Sequence, residues 1–535
     1  MRRWNGWGDD TIDYPIPPTA LNFLEDILGS GIVPHDATMA EVVNAMPPSR
    51  LEGIGHPLVR TEAQDRLRHA RGQSLPDWVE LRSGRITEFP DGVAYPASTD
   101  QIISILNFAS STGTRLIPYG GGTSVVGHIN SPGGSQPTLT VNLRRLNQLS
   151  HWDSISHLAG FGAGITGPEL EAQLRARGFT LGHYPQSFEY STLGGWVVTR
   201  SSGQQSLGFG RIENLFAGGT LLTPAGRLDL PPFPASAAGP DLRQIVLGSE
   251  GRMGILTDVT LRISPRPELE EFHAIFFPSF IEGMTAVRQL VQEQLPLSLI
   301  RLSTPVETRT TLALAGHERL IGLLESMLGV RGAGEEKSML LCGFTGRRAD
   351  VHHTRRATVD ICKEQGGIHV GRRFGDQWIK GRFRTPYLRN ALWEHGYAVD
   401  TVETATNWEN IPRTLERIEA ALREGLAGMD EPVHVFTHLS HVYPQGASIY
   451  STYLFRIHED SDETIRRWTQ LKKGASQAII ASGGTISHQH GVGRDHAPYL
   501  AAEKGALGIA AISDVLRRFD PDGIMNPGVL ISEAG

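Results

Sequence analysis

Pro118-Tyr-Gly-Gly-Gly-Thr-Ser124 sets three consecutive glycines between an apolar run and a pair of hydroxyl side chains. Glycine admits positive φ and close approach of the main chain, and successive N–H groups turned inward make a nest for anionic oxygens. Taken alone, a triple-glycine turn also reads as a flexible connection. The turns further along the chain favour a ligand: Gly162-Ala-Gly164, then Pro185-Gln-Ser-Phe-Glu-Tyr-Ser191 running into Gly194 and Gly195, then Gly248-Ser-Glu-Gly251 ahead of Gly254. Four glycine-rich turns in one region imply one extended ligand. No GxGxxG opens a helix here, so the Rossmann arrangement does not describe the region.

The chain of 535 residues exceeds what one hydrophobic core supports, so two or more domains are expected. A net charge of −7 argues against general nucleic-acid binding, which needs a basic balance. Cys342 and Cys362 have neither metal-type nor CxxC spacing, and no disulfide framework is implied. No apolar segment follows Arg2 and Arg3, and no run of 18 apolar residues occurs. The final Ile-Ser-Glu-Ala-Gly535 is not a peroxisomal tripeptide. A cytoplasmic location with peripheral membrane contact is therefore expected.

Residues 1–84 carry helical apolar spacing, as in Ala20 to Leu28, broken by proline turns, and read as a helical N-terminal segment. From about Pro90, short strand-like runs (Gly92 to Tyr95, Thr114 to Pro118) alternate with helical ones (Thr99 to Ser110), so 85–266 reads as an α+β ligand-binding domain. Thr260 to Pro267 gives a strand and a proline-rich boundary. Residues 267–480 read as an α/β cap that faces the substrate, with Phe280 to Leu295 helical. In 481–535 a helix from Ala501 to Phe519 precedes Phe519-Asp-Pro-Asp-Gly-Ile-Met-Asn-Pro-Gly528, which returns to the first domain.

The ordered set Trp4-Asn-Gly-Trp-Gly8, PYGGGTS, HYPQSFEYSTLGGW, LGSEGRMGIL, Ser298-Leu-Ile-Arg301, Tyr387-Leu-Arg389, GASIY ending at Tyr450 and SHQHGVG from Ser487 resembles the alkyldihydroxyacetone phosphate synthases, within the vanillyl-alcohol oxidase and p-cresol methylhydroxylase flavoproteins. The resemblance covers residues 4 to 530. It implies a two-part FAD-binding domain of the vanillyl-alcohol oxidase type, an α/β cap, noncovalent FAD and a homodimer. The implied reaction exchanges the acyl chain of acyl-dihydroxyacetone phosphate for a fatty alcohol through a flavin N5 adduct, a step of ether-lipid synthesis.

For the cofactor, the resemblance implies Pro118, Tyr119, Gly120, Gly121, Gly122, Thr123 and Ser124 around the pyrophosphate. It adds Pro185, Gln186, Ser187, Phe188, Glu189, Tyr190 and Ser191, then Val198, Thr199, Arg200 and Ser201, then Glu250, Gly251, Arg252, Met253, Gly254, Ile255 and Leu256. His128 follows the glycine loop where some relatives attach flavin covalently. It reads here as a hydrogen-bonding or surface residue.

For catalysis, the resemblance implies Tyr450 as acid/base, with His183 a further active-site histidine. A phenol near pKa 10 needs neighbouring cations or donors to work at neutral pH, and His488 and His490 are the candidates. By setting alone Tyr450 also reads as a packing residue of a strand. Arg389 is implied as the phosphate ligand and Arg301 as a second active-site arginine, since guanidinium binds phosphate bidentately. Arg372, Arg373, Lys380, Arg382 and Arg384 read as a solvated face. The histidine pairs 488/490 and 352/353 lack a third ligand, and no metal is expected.

Two departures stand out. Gln489 sits where the family has the middle of three histidines, and it cannot carry a proton through a cycle. Thr401 replaces a serine expected near the substrate. Three readings compete: the synthase, an FAD-dependent oxidase or dehydrogenase of a 2-hydroxy acid or other alcohol, and a flavin-binding protein without turnover.

Overall fold

The computed structural model describes residues 1–314 and 318–531; the C-terminal tripeptide lies outside them. Four short helices, Pro18–Leu28, Met39–Ala45, Ala63–Arg68 and Leu75–Ser83, punctuate the N-terminal segment, with turns and extended chain between them. Capping boxes start two of them: Thr38 with Glu41, and Ser74 with Asp77. Each box satisfies donors that a helix start leaves open. The two-residue strand Val59–Arg60 pairs with Gly92–Ala94, tying this segment to the next unit.

That unit has two larger sheets and a two-stranded one, Phe179–Thr180 paired with Ser264–Pro265. In the first, Gly92–Ala94, Thr138–Asn142 and Arg115–Tyr119 run parallel, with helix Thr99–Thr112 leading into the last of these. Parallel strands need such a crossover, and the glycine loop leaves the C-terminal end of Arg115–Tyr119, where open α/β sheets bind ligands. The second sheet is antiparallel, ordered Leu149–Asp153, Leu158–Gly162, Ile255–Arg262, Phe216–Thr223 and Gly226–Leu230. Strand Ser264–Pro265 ends the unit, and Leu269–Phe277 begins the next.

The cap is a seven-stranded antiparallel sheet. Its order is Ile368–Gly371, Leu269–Phe277, Ser338–Gly346, Leu299–Ser303, His434–Tyr443, Gly446–Arg456 and Tyr397–Asn407. Helices Phe280–Gln292, Arg348–Glu364, Ile411–Arg423 and Ser461–Ala481 bury Val287, Ile361, Ile418 and Leu471 in one core with Val435, Leu439 and Phe455 of the sheet. Because strand side chains alternate, the opposite face of His434–Tyr443 is free to line a site. His352 and His353 lie on helix Arg348–Glu364.

After helix Leu500–Phe519 the chain returns to the first unit, where Met525 bridges to Leu116. Asn526 donates through Nδ2 to the carbonyls of His128 and Glu250, at 3.0 and 2.8 Å. That clasp holds the glycine loop, the Glu250 turn and the C-terminus together.

Candidate active site

One cavity of about 520 Å³ lies between the glycine-loop unit and the open face of the cap sheet. One wall comprises Pro118, Gly120 to Ser124, Pro185 to Ser187, Ser191, Val198, Thr199, Ser201, Glu250 and Gly251. Facing it are Arg301, Thr401, His434, Phe436, His438, Ser440, His441 and Tyr450, with Arg389, Gln489 and His490 between.

The glycine loop is packed too tightly for side chains. A Cβ on Gly120 would sit 2.1 Å from Thr192 Oγ1, and one on Gly121 would sit 1.9 Å from the Tyr190 carbonyl. Gly122 has φ +64°, a conformation glycine takes at no steric cost. Among the described residues, no acceptor meets the main-chain N–H groups of Gly121, Gly122, Thr123 or Ser124. Four unspent donors facing a cavity are what a diphosphate requires, so the residues present fit FAD. His128 places Nδ1 2.8 Å from Ser124 Oγ, and its Nε2 lies 3.1 Å from Glu250 Oε2 without making a hydrogen bond to it. Glu250 in turn accepts from the N–H groups of Val492 and Gly493, joining the loop to SHQHGVG.

Several residues expected around the cofactor stand outside the cavity. Tyr119 packs on His69, ring centroids 4.6 Å apart, and Phe188 stacks on Phe383 at 4.9 Å. Tyr190 shares a 2.7 Å hydrogen bond with Tyr387, and Glu189 feels the charge of Arg384. Arg200 bonds Gln244, and Arg252 reaches the carbonyl of Asn526. Met253, Ile255 and Leu256 are core residues, while Gly254 fits against the carbonyl of Leu222. These positions shape the wall from behind.

Tyr450 sits in the middle strand of three. It pairs across with Glu403 on one side and His438 on the other. Its ring stacks on His438 at 5.1 Å and meets His490 edge-on at 5.8 Å, and its hydroxyl lies 3.3 Å from Thr401 Oγ1. Burial, with the carboxylates of Glu403 and Asp400 nearby, pushes the phenol up to about 12. The expected lowering therefore does not occur in this arrangement, because burial and the two carboxylates outweigh the Thr401 hydrogen bond and the charge of Arg301. Tyr450 holds its proton.

Glu403 explains the shape of the histidine loop. Its carboxylate accepts from the N–H groups of His488, Gln489 and His490 and from Ser487 Oγ, all within 3.1 Å. Burial opposes its charge, yet the adjoining histidines and these N–H donors hold it at about 2. Wrapped around one carboxylate, the loop sends its side chains apart, whereas a strand would have kept 488 and 490 on one side. His490 lines the cavity, and burial depresses its pKa. His488 points the other way: Arg211 Nη1 and Tyr443 Oη both lie 2.6 Å from its Nε2, and burial keeps the ring neutral. His183 is also behind the wall, its Nε2 2.8 Å from Ser201 Oγ and its pKa driven down to about 3 by burial.

Arg389 is the anion-binding candidate. It lies over Trp78, 4.5 Å from the ring centroid, and donates Nη1 to the carbonyl of Gln73. Its Nε and Nη2 are sealed from water with no partner. Burial disfavours its charge, so a bound anion would be drawn strongly to it. Arg301 is already committed, paired with Glu307 and close to His438 Nδ1. Glu307 also takes a 2.9 Å contact from His438 and, although burial opposes ionisation, these partners hold it at about 2. In the expected solvated face, Arg372 pairs with Glu271, but Arg382 is packed on Tyr184 at 4.2 Å and donates to Gln205.

Away from these groups the cavity has an apolar arm, with Ile16, Leu24, Leu392 and Leu454 buried in a cluster that also packs Leu314, Leu388, Val399 and Phe436. Sequence reasoning missed His434, His438, Glu307 and this arm. One signal was present: His434, Phe436, His438 and Ser440 alternate along a single strand. No group of three or more His, Cys, Asp or Glu side chains with metal-holding geometry occurs among the described residues.

Residues 90–229 match the FAD binding domain family, and residues 266–530 match the C-terminal domain of FAD linked oxidases. Alkyldihydroxyacetonephosphate synthase of Caenorhabditis elegans is 30% identical, over 100% of this chain and 96% of its own length. A solved alkyldihydroxyacetonephosphate synthase superposes with TM-score 0.84 at 27% identity, covering 98% of both chains. Solved p-cresol methylhydroxylase, at 13% identity, shares the fold with TM-score 0.67 over 94% of this chain and 99% of its own.

Proposed function

This chain belongs to the alkyldihydroxyacetonephosphate synthase family of FAD-dependent enzymes, and from that membership we propose that it exchanges the acyl chain of acyl-dihydroxyacetone phosphate for a fatty alcohol. The observation that carries this is the cavity itself. It joins a cradle of free N–H donors, a buried arginine with two unspent N–H groups and an apolar arm. With FAD in the cradle, a small 2-hydroxy acid would use the arginine and leave the apolar arm empty, whereas a long-chain phosphorylated ester uses both.

Arg389 binds the phosphate and thereby fixes the ester-bearing carbon near Tyr450 and His490. His490, a neutral imidazole, accepts the proton from that carbon and returns it to the product. Tyr450 keeps its phenolic proton and donates a hydrogen bond to the departing carboxylate. Thr401 orients that hydroxyl. FAD, held noncovalently as in the synthases the chain resembles, would rest on the Gly120 to Ser124 cradle and supply the electron sink, with N5 as its reacting position. The alcohol loses its proton as the carboxylate leaves, so one ether and one fatty acid form and no electrons are released. Homodimerisation, a cytoplasmic location and peripheral membrane contact complete the proposal, on the resemblance alone.

The test gives FAD-loaded protein either palmitoyl-dihydroxyacetone phosphate with hexadecanol or a panel of 2-hydroxy acids, with an electron acceptor in both. Ether formation without acceptor reduction is expected. Sustained reduction by a hydroxy acid, with no ether, would replace this reading by the oxidoreductase one.

A further inference from the structure

The N-terminal stretch Trp4-Asn-Gly-Trp-Gly8 has no part in the acyl-exchange chemistry, yet it reaches the cavity. Trp7 is 6% exposed, lines the cavity and meets the ring of Tyr190 edge-on at 5.7 Å. Its main chain is clasped twice by Asn390: Trp7 N donates to Asn390 Oδ1 at 3.1 Å, and Asn390 Nδ2 donates to Trp7 O at 3.0 Å. Gly8, with φ +80°, fits against Tyr387, where a Cβ would lie 2.2 Å from the ring. Tyr387 and Asn390 belong to helix Thr385–Glu394, which also carries Arg389. The N-terminal stretch is thus fastened to the arginine's own helix.

Trp7 Nε1 is sealed from water and has no acceptor. Buried indole N–H groups find partners in native proteins, so an orphan on a cavity wall points to a ligand atom. Arg389 Nε and Nη2 are orphaned in the same way. Neighbouring contacts run on to the glycine loop, since Gly121 packs on the Tyr190 carbonyl and Arg2 donates to the carbonyl of Gly122 at 3.4 Å. We propose that Trp7 is a ligand-binding residue whose indole N–H, together with Arg389, donates to one phosphate group. This rests on the proposed reaction, in which the ligands are phosphorylated. The phosphate belongs either to the small-molecule substrate or to the cofactor pyrophosphate, and both present the same oxygens.

Trp7→Phe keeps an aromatic ring and removes the donor. FAD-loaded wild type, W7F and R389M are titrated calorimetrically with dihydroxyacetone phosphate and with inorganic phosphate, and the apoproteins are titrated with FAD by flavin fluorescence. Loss of one hydrogen bond to a charged oxygen weakens binding about tenfold to a hundredfold. W7F weakened toward dihydroxyacetone phosphate alone assigns the substrate; weakened toward FAD alone, it assigns the cofactor. Either result supports the donor role. Unchanged binding of both by W7F overturns it, as does R389M weakening both phosphate ligands while W7F weakens none. In wild type labelled with ¹⁵N-tryptophan, one indole resonance should move downfield on adding dihydroxyacetone phosphate or FAD. That resonance is identified by its loss in W7F or, should W7F not fold, by its survival in W196F and W378F. No movement overturns the proposal. Binding is read without turnover, so failure to form ether would count against the reaction and not against this phosphate contact.

Discussion

The two walls of the cavity recognise by different means. The glycine-loop wall works through main-chain N–H groups brought close by Gly120, Gly121 and Gly122, and the shape of the backbone is its chemistry. The cap wall works through side chains delivered by separate strands, with Tyr450, His438 and Glu403 brought abreast only by sheet pairing. A backbone site fails when space is taken away. A side-chain site fails when a proton or a charge is removed.

Gly121→Val sharpens this contrast most. Its side chain collides with the Tyr190 carbonyl and displaces the loop, with an expected cost of about 4–6 kcal/mol, over a thousandfold in FAD affinity. Flavin absorbance per protein after gel filtration checks it; retained yellow colour would break the backbone account. Tyr450→Phe should leave flavin content and fold intact while lowering kcat by about 10²–10⁴-fold. Full activity would remove Tyr450 from the chemistry. Arg389→Met should raise KM for the phosphorylated substrate by about 3 kcal/mol, roughly a hundredfold. An unchanged KM would move the phosphate elsewhere.

The smallest expected effect is on stability against pH. His434 and His441, on the cap wall, are held neutral by burial at about 4 and about 3. An unfolded histidine takes up a proton near pH 6.5, so the unfolded state binds more protons below that value and stability falls as pH drops from about 6.5. Glu403 and Glu307, each at about 2, add a second loss as pH drops below about 4.5, because their folded-state ionisation is then no longer matched. Thermal unfolding of FAD-loaded protein at pH 8, 6 and 5 should show the first window, shallower in H441Q. A flat profile from pH 8 to 5 would contradict the neutral-histidine account.

The same contrast explains what could be read from sequence. The glycine loop is contiguous, so PYGGGTS announced a backbone cradle, and the strand and proline-rich boundary read over Thr260 to Pro267 overlap the observed strands Ile255–Arg262 and Ser264–Pro265. Cap chemistry is assembled from residues far apart in the chain: Glu307, Glu403, His438 and Tyr450 come from four elements, and only the resemblance pointed to Tyr450. His488 and His490 were both expected beside Tyr450, but Glu403 gathers the three N–H groups of their loop into a turn that leaves His490 on the cavity and directs His488 to Arg211 and Tyr443. Trp7 was visible as part of a motif, but its place on the wall depends on Asn390, 383 residues away.

The most direct test of the exchange uses hexadecanol carrying ¹⁸O, incubated anaerobically with FAD-loaded protein and palmitoyl-dihydroxyacetone phosphate, with products analysed by mass spectrometry. The account predicts ether product containing the ¹⁸O, palmitate containing none, and equal amounts of the two. Label appearing in a palmitate ester, or palmitate released without ether, would contradict it.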